Sequence, residues 1–268
     1  MNASIALAAL LSLSPSQAGG LAVTNPHVTY RDFGSTRPDA RYLPGDVFFL
    51  SFDIDGLKTN DVGEVNYLMG VEVLDKVGKA IFSAPSSKST VPLPLGGSKL
   101  PGNVYVTIGQ DMQPGPYTCK VTISDAAVPN ASKIVEQKFE VLPRDFGLVA
   151  LYISRDQQGT MPNGMSGIEG QTVYVHVGLV GFGRDVSQKP DAALEFSVRD
   201  AHDQPTTKKP SVILLSRTLS ETAAFEGFSF VLPLNQQGTF TVQIKAADKV
   251  TGKTATLSFP VKVYPASK

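Results

Sequence analysis

The sequence predicts an all-β protein made of two β-sandwiches in tandem, and three observations carry that prediction. The chain repeats itself: residues 44–57 (PGDVFFLSFDIDGL) and 169–182 (EGQTVYVHVGLVGF) share one pattern 125 residues apart. Within each matching segment apolar residues alternate with polar ones, the period of a strand with one buried face. No stretch past the first eighteen residues sustains a helical period, and Gly, Pro, Asn and Asp clusters punctuate the apolar runs.

The elements follow in order. Residues 1–18 carry no charge, and an apolar run from Ile5 to Leu13 leads to Ser16-Gln17-Ala18, a small-x-small pattern. This reads as a signal peptide cleaved before Gly19, although its start lacks Lys and Arg. The run is too short to span a bilayer, which takes about 20 apolar residues. The first repeat then places Phe48, Leu50, Phe52 and Ile54 inward, and the second does the same with Val173, Val175, Val177 and Leu179. Residues 71–75 (VEVLD) match 196–200 (FSVRD), and 114–125 (PGPYTCKVTISD) match 237–248 (QGTFTVQIKAAD). Between them Val104, Val106 and Ile108 align with Phe228, Phe230 and Leu232. Segments matching in one order at near-constant spacing indicate duplicated domains, 19–143 and 144–268, each with roughly seven strands. A short linker at Pro143-Arg144-Asp145 is expected to join them as a rod-like pair.

The run Pro114-Gly115-Pro116-Tyr117-Thr118-Cys119-Lys120-Val121 resembles the sixth strand of an immunoglobulin-like domain. The chain thereby resembles bacterial secreted proteins with tandem immunoglobulin-like, fibronectin III-like or macroglobulin-like sandwiches. The resemblance implies that Tyr117 forms a tyrosine corner and that Cys119 points into the core. The second copy has Phe240 and Val242 there, and neither copy has the partner Cys or core Trp of antibody-type domains. The resemblance implies a fold and carries no activity with it.

Composition excludes several functions. Lys+Arg and Asp+Glu number 24 each, so no net positive field is available for nucleic acid or anionic lipid. One cysteine forms no internal disulfide, and with three scattered histidines it makes no zinc cage. Cys119 is expected to be a buried, inert thiol. His27 lies near the first strand, His176 is read as outward-facing, and His202 sits in the polar turn Asp200-Ala201-His202-Asp203. The densest acidic stretch is Asp53, Asp55 and Asp61, with Asn60 and Glu64 nearby. It is read as a solvated loop, with calcium as the other possibility. Asp125 and Asp248 close the same strand in both copies and are expected to accept backbone N–H groups at a hairpin turn. The pairs Arg31-Asp32 and Arg155-Asp156 read as matched ion pairs. Ser166 lies among glycines without the G-x-S-x-G pattern of a nucleophile elbow, and Lys208-Lys209 is a pair rather than a polybasic patch. Phe49 and Tyr174 take equivalent outward positions, with Tyr105 outward on its own strand. They are ordinary cross-strand pairs, or are covered by the N-terminal segment, or form part of a contact face.

No catalytic, cofactor-binding or metal-ligating residue is therefore assigned, and no cofactor is expected. The expectation is a non-catalytic exported module, secreted, periplasmic or at the cell envelope, with an interaction or structural role. Its partner would be a protein; nucleic acid and a membrane span are not expected, and nothing in the residues supports a glycan. A calcium-stabilised adhesin and a secreted hydrolase, or an enzyme's accessory domain, are the alternatives.

Overall fold

The computed structural model describes residues 20–32 and 34–266, so the signal segment and its cleavage point lie outside the described residues. Every regular element is a strand. In the first half these are β1 (Ala22–Thr29), β2 (Arg41–Tyr42), β3 (Val47–Asp55), β4 (Glu64–Leu74), β5 (Ala80–Pro92), β6 (Leu100–Thr107), β7 (Gly115–Asp125) and β8 (Ser132–Val141). The second half has β9 (Gly147–Ser154), β10 (Pro162–Asn163), β11 (Ser166–Ile168), β12 (Thr172–Val180), β13 (Ala192–Arg199), β14 (Ser211–Leu215), β15 (Phe225–Pro233), β16 (Gly238–Asp248) and β17 (Thr254–Tyr264).

Four sheets result, two in each half. The first half has the orders β1-β3-β6 and β2-β8-β7-β4-β5; the second has β10-β9-β12-β15 and β11-β17-β16-β13-β14. Apart from β10 the two halves are the same diagram. In each, the first strand pairs into the small sheet, and the chain then crosses to run parallel to the last strand of the large one. The count is eight and nine described strands rather than seven, because the chain segment entering each half splits between the two sheets.

Alternation decides which face is buried. Phe48, Leu50, Phe52 and Ile54 are inward on β3, as Val173, Val175, Val177 and Leu179 are on β12. One apolar cluster runs from Leu21 to Val141 and a second from Phe146 to Val263. Rings meet across each pair of sheets. Phe48 stacks on Phe139 at 4.7 Å, and Phe196 on Phe230 at 4.8 Å. Burying each such side chain contributes about 1.5–3 kcal/mol.

One alignment read from the sequence needs correction. β3 pairs Val47 with Thr107 and β12 pairs Thr172 with Pro233, so the equivalents of Val104, Val106 and Ile108 are Phe230, Leu232 and Leu234. The slip is two residues. A slip of two keeps every side chain on its own face, so the periodicity could not expose it.

Candidate functional site

The surface that gathers the most chemistry lies where the two halves meet. β9 bulges at its start: His176 pairs with Tyr152 and Gly178 with Val149, so Ala150 and Leu151 together oppose Val177. Ala150 takes φ 51°, a left-handed conformation that costs a residue with a Cβ roughly 1–2 kcal/mol. The bulge turns the Ala150 N–H out of the ladder and onto Asp46 Oδ1 of the first half, at 2.9 Å. Asp46 is 3% exposed and fully engaged. Its Oδ1 also accepts the Val47 N–H at 2.9 Å, and its Oδ2 accepts Arg37 Nη1 at 2.8 Å. Arg37 in turn donates to the Arg41 carbonyl and lies 4.1 Å from the centre of the Tyr42 ring. One further tie crosses beside it, from Arg144 to the Gln110 carbonyl, while Lys253 holds Asp145 of the linker to the second half at 2.7 Å.

Above this lock opens a groove of about 350 Å³. Phe49 and Tyr105 form its floor from the outer face of β3 and β6, with rings 5.9 Å apart. Tyr30, Arg31 and Asp32, just past β1, and Tyr152 of β9 form the opposite wall. Tyr105 is 64% exposed. The Arg31 guanidinium lies 4.4 Å from the Tyr152 ring centre. Two of the outward aromatics noted in the sequence thus belong to one groove. Tyr174 stands apart from it, half-buried on β12 beside Val231.

Behind Tyr152 sits His176, on the outer face of β12 as the alternation places it, yet buried there. The Tyr152 ring covers it at 4.5 Å, nearly parallel. Its Nε2 meets Ser154 Oγ at 2.6 Å, and the same hydroxyl donates to the Asp156 carbonyl at 2.6 Å. The serine hydroxyl is thus held between the imidazole and a backbone carbonyl. Burial lowers the His176 pKa, the Asp156 carbonyl and charge oppose that shift, and Arg31 adds to it. The first half has the same device in Thr29 and Ser51, 3.2 Å apart.

The remaining singled-out residues have structural partners. Asp125 accepts the Lys58 and Ala127 N–H groups; Asp248 accepts those of Gly183, Val250 and Thr251 and the Thr251 hydroxyl. Each carboxylate therefore caps its hairpin and also holds the chain leaving the opposite sheet. The Tyr117 hydroxyl donates to the Gln113 carbonyl at 2.7 Å, the corner contact, while Cys119 is fully buried. Asp53 and Asp55 lie within β3, not in a loop, and share Lys99 at 3.3 and 3.8 Å. Asn60 Oδ1 is taken by the Val62 and Glu64 N–H groups, and Asp61 is exposed at that turn. Asp200 accepts the N–H groups of His202 and Gln204, and His27 Nδ1 meets the Asn25 carbonyl. The matched Arg-Asp pairs are not ion pairs: Arg31 stacks on Tyr152, Arg155 donates to Asn163, and Asp156 accepts Thr160 and Met161. The Ser166 carbonyl accepts from Asn163 in a short strand. Among the described residues no three His, Cys, Asp or Glu side chains converge as a metal site.

Asp46 and Ala150 were not singled out from the sequence. One signal was available: Asp46 stands where the second copy has Gln171, a charged departure inside an otherwise well-matched segment.

No protein-family model matches the chain, and no curated protein matches it. Among solved structures it is similar to the C-terminal domain of the Streptococcus pyogenes antigen I/II-family protein AspA. That match has 9% identity and a TM-score of 0.32, covering 91% of this chain and 100% of that one. It is also similar to the C-terminal domain of the Streptococcus agalactiae AgI/II polypeptide BspA, with 10% identity, a TM-score of 0.31, and 90% and 100% coverage. A Pseudomonas fluorescens alkylpurine DNA glycosylase, AlkC, bound to DNA containing an abasic site analog, matches at 14% identity and a TM-score of 0.31. There the match spans 46% of this chain and 31% of the glycosylase. Likenesses this loose assign neither fold nor function; the architecture rests on the strand pairing itself.

Proposed function

We propose that this is a non-catalytic exported protein of two tandem immunoglobulin-like sandwiches, 19–143 and 144–268, that binds a protein partner at the cell envelope. The observation that carries the reading is the junction groove, where Phe49, Tyr105, Tyr30 and Tyr152 converge on a lock that fixes their spacing. Exposed aromatics on a rigid frame are the residues from which binding hot spots are made. Asp46 beneath the groove is spent on Arg37 and on backbone N–H groups, which supports a binding role over chemistry. Export rests on the leader pattern in residues 1–18.

The test is a cross-linked capture from an envelope extract, using the chain from Gly19 as bait beside a Phe49→Ala/Tyr105→Ala variant and a Val212→Ala control. The expected result is one partner in near-stoichiometric yield with wild type and control, lost with the groove variant. Equal recovery by all three baits would remove the groove from the reading. Turnover of glycan, ester or peptide substrates above a heat-killed control would overturn the non-catalytic reading itself.

A further inference from the structure

The two halves share one diagram, so each shows what the other lacks. At the end of the first sandwich near Tyr42 the space between the sheets is plugged by rings. Tyr42 meets Phe48 and Phe139 edge-on at 5.7 and 6.0 Å, and Tyr117 stacks on Phe139 at 5.6 Å. Met112, on the loop between β6 and β7, packs against the same core. Strand pairing identifies the counterparts in the second half. β2 pairs Tyr42 with Val141 and β11 pairs Gly167 with Val263, so Gly167 replaces Tyr42. β7 pairs Tyr117 with Phe139 and β16 pairs Phe240 with Val261, so Val261 replaces Phe139; Val173 replaces Phe48. The loop carrying Met112 spans 109–114, whereas its counterpart is only Asn235-Gln236-Gln237.

Leu234 packs into the space that a side chain at Gly167 would take, but nothing replaces the Phe139 ring at Val261 or the methionine-bearing loop beside it, and there the second sandwich is open. A cavity of about 430 Å³ enters between the sheets, with Leu232, Phe240, Val242 and Val261 along its apolar wall. No charged residue lines it. Two edges bound it. Among the described residues β15 pairs only with β12, which leaves its outer edge without a strand beside it. On the other side β14 pairs with β13 only as far as Phe196, whereas β5 accompanies β4 through Leu74. The rim carries hydroxyls and amides, among them Thr206, Thr207 and Gln236.

We propose that this mouth of the second sandwich is a binding site for an extended segment of a partner polypeptide. The segment runs along the free edge of β15 and sends apolar side chains at alternate positions into the cavity. An added strand satisfies the unpaired edge by main-chain hydrogen bonds, while alternate side chains fill the space between the sheets. The first sandwich shows what covers this place, namely aromatic and thioether side chains, and the neutral rim suits a peptide backbone rather than an ionised headgroup. The site is separate from the junction groove and stands or falls independently of it.

The test uses methyl NMR spectra of the chain from Gly19. The probes are a short synthetic peptide with phenylalanine at alternate positions among serine and lysine, a peptide of the same composition with the phenylalanines adjacent, and dodecanoate. The expected result is perturbation of Val231, Val242, Val261 and Val263 by the alternating peptide alone. Val261→Phe, which restores the ring present at Phe139, should weaken that binding roughly tenfold or more. Thr207→Trp, on the exposed rim, should do the same without touching the core, and decides the matter if Val261→Phe does not fold. No perturbation, equal perturbation by both peptides, binding of dodecanoate alone, or undiminished binding by the filled variants would each overturn the proposal.

Discussion

Single side chains show how burial and hydrogen bonding set the ionisation of the groups this chain holds. Cys119 is buried on β7 among Tyr117, Val121 and Ile123, and burial alone pushes its thiol up to about 12. The thiolate is the reactive form, so the native protein should not react with Ellman's reagent at neutral pH, while denatured protein should release one equivalent. Rapid native reaction would place Cys119 at the surface. His176 is held below its ordinary 6.5, chiefly by burial. The unfolded chain therefore binds a proton that the folded one resists, and the contribution present above pH 6.5 is lost as pH falls through the lower folded value. Melting temperature should drop on acidification from neutral pH through this window, and His176→Gln should flatten that part of the profile. Asp248 presents the opposite balance. Burial raises its pKa, yet hydrogen bonds from Thr251, Gly183 and Val250 together outweigh it, and the net value lies below the usual 3.8. Its stabilising effect is full above that value and fades as pH falls below it. Asp248→Ala should destabilise by about 1.5–3 kcal/mol in urea unfolding, the range for hydrogen bonds to a charged group.

Elements show how much the sequence displayed. Period-two alternation marked β3 and β12 residue by residue because each has one wet and one dry face. The Tyr117 corner was readable because its hydroxyl bonds within a few residues of its own strand. What alternation cannot carry is register, hence the two-residue slip between β6 and β15. Nor can it show what covers an outward face, hence His176 and Ser51, both roofed by the first strand of their own half. Acidic residues on β3 were taken for a loop because Asp disfavours strands. Asp53 and Asp55 are tolerated there because Lys99 and the Thr24 hydroxyl neutralise them across the sheet. With those oxygens engaged and Asn60 spent on its turn, calcium finds no converging set. Melting temperatures in excess calcium and in chelator should coincide; a rise in calcium would show a site that only the folded state binds. β5 illustrates an edge made safe. Met69 pairs with Ser87 and Val71 with Ala84, so Pro85 and Ser86 bulge out, and Lys88 adds a charge. β15 pairs with β12 without a bulge, and its one charge, Glu226, lies toward its start and pairs with Arg217, away from the cavity-lining Val231, Leu232 and Pro233, so the edge-binding proposal falls on it and not on β5.

At the scale of the whole molecule the decisive contact is one carboxylate. Two halves joined by a short segment would by default move against each other, since inter-domain contacts within a chain are commonly small and polar. Here a buried aspartate of one half accepts from a backbone N–H of the other, and β9 must hold Ala150 in a left-handed conformation to present it. That strain is sustained only while Asp46 accepts the bond, so each half stabilises a feature of its neighbour. Removing Asp46 leaves Arg37 only the longer, exposed contact to Asp39 at 3.5 Å and leaves the Ala150 N–H unsatisfied. Breaking one side of a buried ion pair costs about 3–5 kcal/mol. The loss should appear as uncoupling as well as destabilisation. Calorimetry of the wild type should show one transition, because the halves share the contact, whereas Asp46→Ala should show two, with Arg37→Ala intermediate. A single unsplit transition in Asp46→Ala would mean that Arg144 and the Arg31-Tyr152 stack hold the junction without it. The groove would then keep its shape in that variant. If the transitions split, the spacing of Tyr30 and Tyr152 from Phe49 and Tyr105 depends on Asp46, and partner capture should fall in Asp46→Ala although no aromatic has been touched.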